Sequence, residues 1–359
     1  MGLIRYVVVA FICSAGVLQA QPLEMTVRPF ALLPQDVRYP EGLAVAPDSG
    51  EVYVGTFDAR MPAEQRNNQV LRLSAEGKLL ARKPFGATPL TGLAVAAGHL
   101  YILNFGAGSL QRLPLDFESN STVETVVTFS ALNPPAPGPR QINNPDGSQD
   151  HITFGASGMP APNGMVFDRV GNLYVSDSFQ GAILRIAKAT RCQPCKVEVL
   201  MRDPLLATSG FLPFGANGVA FNADESLLYI NNAGDGRVLY MRMPDGAPKV
   251  LAESLPGADG LLFHQGLLWV TANQVDQVIA LSERGLPLVR VTGFAGLAAD
   301  GSPRGLLFPA STAIQGKRML VTNLALPLTE ASGDEWEERV TRWNLVQFSL
   351  PTELPGEDR

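Results

Sequence analysis

Helix-length apolar periodicity is almost absent from this chain, and that absence leaves an all-β fold with many tight turns. Cysteine is equally scarce, at three residues. Cys13 lies in a leader-like segment, and Cys192-Gln193-Pro194-Cys195 holds the other two. No second pair exists to complete a zinc site, and no thioredoxin-like strand–helix pattern surrounds this one. A small disulfide pinning a hairpin loop is the expectation, and it suits an oxidising compartment. A surplus of basic residues is also missing, since the net charge is -6 and the pI about 5.2. That argues against nucleic acid and anionic membrane surfaces as partners. No Gly-x-Ser-x-Gly elbow supports a serine nucleophile.

Residues 1–20 have the pattern of a signal peptide: Arg5, an apolar stretch from Tyr6 to Leu18, and Ala20 at the cleavage point. The apolar run is short for a spanning helix, with an uncleaved anchor as the alternative. Cys13 follows Ile12, where a lipoprotein site needs a small residue. The mature chain is expected to begin near Gln21 and to be periplasmic or secreted, without stable membrane association after cleavage.

What the sequence has in abundance is glycine (35) and proline (28). A short glycine-centred phrase returns along it. The clearest copy is Asn163-Gly164-Met165-Val166-Phe167, a turn at Arg169 to Asn172, then Leu173-Tyr174-Val175. It reads as two alternating strands and a tight turn. Other copies stand at Glu41-Gly42, Thr91-Gly92, Asn217-Gly218 and Asp259-Gly260, with a degraded one at Ser311-Thr312. A period of roughly fifty residues with several short strands each describes propeller blades. Two further strand-like runs follow each phrase, for example Ala182 to Ile186 and Val197 to Leu200. The expectation is a six-bladed β-propeller of four-stranded blades spanning residues 21–350, with a flexible tail at 351–359. The last blade runs short of chain, with Val340 to Leu345 as its third strand. Met25 to Phe30 is therefore expected to supply its outermost strand and close the ring. A proline-rich insertion at 133–160 should lie over the face where inner strands start.

Residues at the starts of inner strands converge on the channel axis. Aligning the phrases places Glu41, Thr91, Asn163, Asn217, Asp259 and Ser311 around one ring. Asn-Gly and Asp-Gly are ordinary turn formers, but Glu-Gly is not. Oxygen donors at Glu41, Asn163, Asn217 and Asp259, with two negative charges, describe a calcium site, with magnesium or manganese fitting less well.

The ordered Glu-Gly, Asn-Gly, Asn-Gly, Asp-Gly series resembles the senescence-marker-protein, gluconolactonase and luciferin-regenerating-enzyme group of six-bladed propellers, with paraoxonase-type enzymes as more distant look-alikes. The resemblance covers about Arg38 to Leu345. It implies a divalent metal held by Glu41, Asn163, Asn217 and Asp259, with Asp259 also as general base, and hydrolysis of a lactone or related ester. The arginine that contacts sugar substrates in that group has no counterpart here. Among other residues, His151 in the insertion is a candidate proton shuttle, and His99 and His264 read as turn residues. Asp177 and Asn273, at the ends of second strands, are candidates for substrate contact, and Arg60, Arg66 and Asn67 for recognising an anion. The substrate is expected to be a small molecule and the protein a monomer. The alternative is a non-catalytic propeller that binds a protein or small ligand around a structural metal. Strictosidine-synthase-like chemistry on the same fold is a third reading.

Overall fold

The structure, a computed structural model, describes residues 21–154, 158–329 and 333–353. The expected signal peptide at 1–20 and the tail end at 354–359 lie outside the described residues. The described chain forms six sheets arranged as the blades of a propeller, each with four antiparallel strands and one with a fifth, parallel strand, plus a two-stranded hairpin.

Blade one runs outward from the axis as Pro40–Val45, Val52–Thr56, Asn68–Leu73 and Leu79–Gly86. Blade two spans Leu90–Ala96 to Glu124–Thr128, and blade three Pro162–Phe167 to Val197–Arg202. Blade four spans Ala216–Phe221 to Lys249–Ala252, and blade five Ala258–His264 to Pro287–Thr292. In each blade the second strand is almost wholly buried, since it faces a neighbouring blade on both sides. That accounts for continuous apolar runs such as Leu268-Trp269-Val270. Six apolar clusters result, one at each blade interface. The ring is thus held together by side-to-side burial rather than by one central core.

Blade six closes as expected but with shifted strands. Its third strand is Asn344–Ser349, later than the run at Val340, and its outermost strand is Arg28–Leu32. Val340 and Trp343 instead sink into the interface with blade one, where the Trp343 indole donates to the Leu324 carbonyl at 3.0 Å. The preceding segment Leu23–Thr26 belongs elsewhere. It pairs in parallel with Pro287–Thr292 as a fifth strand of blade five. Pro29 is accommodated because it stands on an outer edge strand.

The insertion carries a hairpin, Arg140–Asn143 with Gln149–Ile152. Arg140 pairs with Asp235, in the loop after the second strand of blade four, at 3.5 Å. Cys192 and Cys195 form the expected disulfide.

Candidate metal centre

The six glycine phrases are strand bulges, not turns. In every inner strand the pairing register with the second strand skips two residues at the same place. The skipped pairs are Glu41-Gly42, Thr91-Gly92, Asn163-Gly164, Asn217-Gly218, Asp259-Gly260 and Ala310-Ser311. A bulge re-aims side chains, and here it places the first residue of each pair on the channel.

The glycines have a packing reason. A Cβ on Gly42 would come within 2.2 Å of the Thr91 carbonyl oxygen, and one on Gly164 within 2.4 Å of the Asn217 carbonyl oxygen. Gly92, Gly218 and Gly260 face the Asn163, Asp259 and Ala310 carbonyls in the same way. Each inner strand therefore touches the next through bare backbone. Second-strand side chains secure the contact. Ser176 donates to the Asn217 carbonyl at 2.5 Å, Thr271 to that of Ala310 at 2.6 Å, and Thr322 to that of Glu41 at 3.1 Å. Asn231 reaches the Asp259 carbonyl at 2.9 Å. These four residues were not singled out in the sequence, where they vary too much in type to read as one device.

The register corrects one alignment. Ser311 occupies the glycine position of blade six, and Ala310 the ring position. Blade six thus places an alanine at the ring position, with Ser311 beside it on the channel.

Glu41, Asn163, Asn217 and Asp259 are brought together as expected, each at most 7% exposed. They line one cavity from below and the channel from above. The Glu41 carboxylate accepts no hydrogen bond among the described residues, and neither carboxylate belongs to an ion pair among them. Burial first, then the charge of Asp259, pushes the Glu41 carboxyl well above its ordinary range. Burial raises Asp259 to about 7, against hydrogen bonds from Asn273 and Asn217 that lower it. The Asn273 amide donates to Asp259 Oδ2 at 3.1 Å. Asn163 donates its amide nitrogen to Ser178 Oγ at 3.1 Å, so its oxygen is the group left for a ligand.

Two buried carboxylates without a cationic side chain are costly unless a proton or a cation joins them. The donor set is two carboxylates and two carboxamides, all hard oxygen, which fits a calcium-type ion and not a thiolate- or imidazole-seeking one. Among the described residues no three His, Cys, Asp or Glu cluster to hold a metal. Any ion in the ring would therefore depend on the two amides.

Other expected site residues fall differently. Asn273 lines the cavity. Asp177 does not. Its carboxylate is fully buried and accepts from the Gln180 backbone at 3.0 Å and the Gln180 side chain at 2.7 Å. It braces the loop that follows, as Asn104 and Asn232 do by accepting from Ala107 and Asp235. His151 is exposed on the insertion hairpin, and no residue of that hairpin lines the cavity. Arg60 is committed to the Pro327 and Thr329 carbonyls, Arg66 to that of Met61, and Asn67 to Asp36.

The remaining cavity wall is apolar: Phe57, Phe214, Phe308, Leu324, Leu326 and Leu328 among others.

No family model matches the chain, and no curated protein matches it. Among solved structures, regucalcin from Agrobacterium tumefaciens, described as a calcium-binding protein, superimposes with a TM-score of 0.60 at 14% identity, over 92% of this chain and 96% of that one. Luciferin-regenerating enzyme does so with a TM-score of 0.58 at 15% identity, over 89% and 93%. A gluconolactonase from Xanthomonas campestris gives 0.52 at 15%, over 90% of each chain. These are proteins of the group that the ordered glycine series resembles. At such identities the likeness establishes the six-bladed fold and leaves the chemistry to the site.

Proposed function

We propose that this protein is an exported, divalent-metal-dependent hydrolase of lactones or related esters, working as a monomer on a small-molecule substrate. The observation that carries the reading is the pair of buried carboxylates, Glu41 and Asp259, which have no cationic partner among the described residues and form the floor of a cavity with Asn163 and Asn217. These four residues would hold the ion, calcium by the hardness and charge of the set. A bound cation supplies a Lewis acid that polarises the ester carbonyl and offsets charge on its oxygen.

Asp259 is suited to the general base. Its carboxylate is buried on the cavity floor, where an attacking water would stand within its reach. The Asn273 amide fixes its Oδ2 and so turns the carboxylate. In the reaction Asp259 would take a proton from the attacking water and return it to the ring oxygen as the acyl C–O bond breaks, so that lactone plus water gives the hydroxy acid.

Hydrolysis of a lactone panel with calcium and with chelator tests the reading. Chelator-sensitive turnover supports it. Calcium-stabilised protein without turnover of any lactone or ester would leave the metal as a structural pin in a binding propeller.

A further inference from the structure

We infer that the substrate's substituent is a hydrocarbon chain, so that the preferred lactone carries an alkyl tail and not a set of hydroxyls. This rests on the lactone reading of the ring and adds the class of substrate.

The inference comes from the wall above the ring. Phe57 and Phe214 line the cavity, and with Phe105 and Phe179 behind them they close into a quartet drawn from the loops of blades one, two and three and the approach to blade four. Ring centroids lie 5.3 Å apart for Phe57 and Phe105, 5.7 Å for Phe105 and Phe179, 5.4 Å for Phe179 and Phe214, and 6.5 Å for Phe57 and Phe214. Phe105, Phe179 and Phe214 are only half-buried, and Phe211 in the same loop as Phe214 is 75% exposed. The lining continues with the segment carrying Leu324, Leu326 and Leu328, which belong to one apolar cluster with Phe57, Phe105 and Phe214. That segment is fastened rather than loose: Arg60 holds the Pro327 and Thr329 carbonyls, and Glu335 accepts from the Leu328 and Thr329 amides.

Polar groups that could greet a polyol are absent from the described lining above the ring. Thr91 Oγ1 is spent on the Pro162 carbonyl at 2.8 Å, and the Asn273 amide on Asp259. The Asn273 oxygen is buried without a partner and lies against Gly257. A hydroxylated substituent entering here would lose water and gain nothing. Each unsatisfied hydroxyl costs about tenfold or more in affinity. A methylene gains instead, by about fourfold each while contact lasts.

The test is a series of γ-lactones bearing butyl, hexyl and octyl tails beside a polyhydroxylated lactone of the same ring size, hydrolysed at saturating calcium. The matching γ-lactams, which resist hydrolysis, are titrated calorimetrically in parallel. kcat/KM and lactam affinity should both climb about fourfold per methylene until the cavity is full, with the polyhydroxylated lactone at least about a hundredfold below the octyl one. Leu326→Asn should flatten the climb, and Leu328→Asn repeats the test should the first fail to fold. Hydrolysis that ignores tail length, or favours the polyhydroxylated lactone, overturns the inference and leaves the hydrolase standing. Chain-dependent lactam binding with no lactone hydrolysed supports the inference and removes the hydrolase. Lactams that bind without regard to tail length, or not at all, overturn it.

Discussion

Asp259 and Asn217 share the ring but not the chemistry assigned to them, and substitution separates the two. Asp259→Asn keeps an oxygen for the metal and loses both charge and proton acceptor. Its kcat at saturating calcium should fall by about 10²–10⁴-fold. Asn217→Ala removes one neutral oxygen that water can replace, so added calcium should restore most of its turnover. Near-full turnover of Asp259→Asn at high calcium would make Asp259 a ligand only. The glycines make an independent claim. Gly164→Ala drives a methyl to 2.4 Å from the Asn217 carbonyl oxygen, a backbone atom locked by Ser176. The cost should be about 1–3 kcal/mol in denaturant unfolding, typical of overpacking. Gly138→Ala, where nothing lies within 4 Å, should change little. Equal stability of the two variants would contradict the close-packed inner ring.

At the scale of strands, what the sequence reveals depends on repetition. Five inner-strand bulges are legible because Xaa-Gly recurs ahead of an alternating strand. Blade six hides its bulge because Ala310-Ser311 has no glycine, which is why Ser311 alone suggested the ring position. The apolar wall is illegible for another reason: Phe57, Phe105, Phe179 and Phe214 stand singly in separate loops, and only ring closure gathers them. Met25 to Phe30 reads as one strand because alternation does not show which blade a segment joins. In the fold it is divided between blade five and blade six. Truncation should expose that division. Removing residues 21–26 strips a fifth strand from blade five and should lower the melting temperature modestly. Removing residues through 32 also opens blade six, leaving Asn344–Ser349 as a bare edge. That product should aggregate or melt far earlier. Indistinguishable melting of the two truncations would count against Arg28–Leu32 as the closing strand.

For the whole molecule, the two carboxylates tie stability to pH and metal together. Both are raised in the folded state above their unfolded values near 4. Their contribution is therefore fully present below about pH 4 and is lost as pH rises, for Asp259 through about 7. In chelator, a Glu41→Gln/Asp259→Asn double variant should match the native protein near pH 4 and be the more stable of the two at pH 8. Calcium should reverse the order, because it needs both groups ionised and its affinity grows as they deprotonate. At a hundred times Kd the native protein gains about 2.7 kcal/mol. Melting curves in calcium and in chelator that superimpose at pH 8 would remove the ion from the ring.

The pairing of Arg28–Leu32 with Asn344–Ser349 joins segments from opposite ends of the described chain. A ribosome makes the first of these long before the second. The early strand must wait, unpaired, until nearly all of the propeller has been synthesised. Contacts so distant in sequence are slow to form, and the four ring oxygens come from blades one, three, four and five, so they meet only as the circle nears completion. Metal uptake is then a late event in the life of each molecule. It marks a finished ring, and a chain cut short in blade six would carry all four ligands yet lack the closure that holds them together.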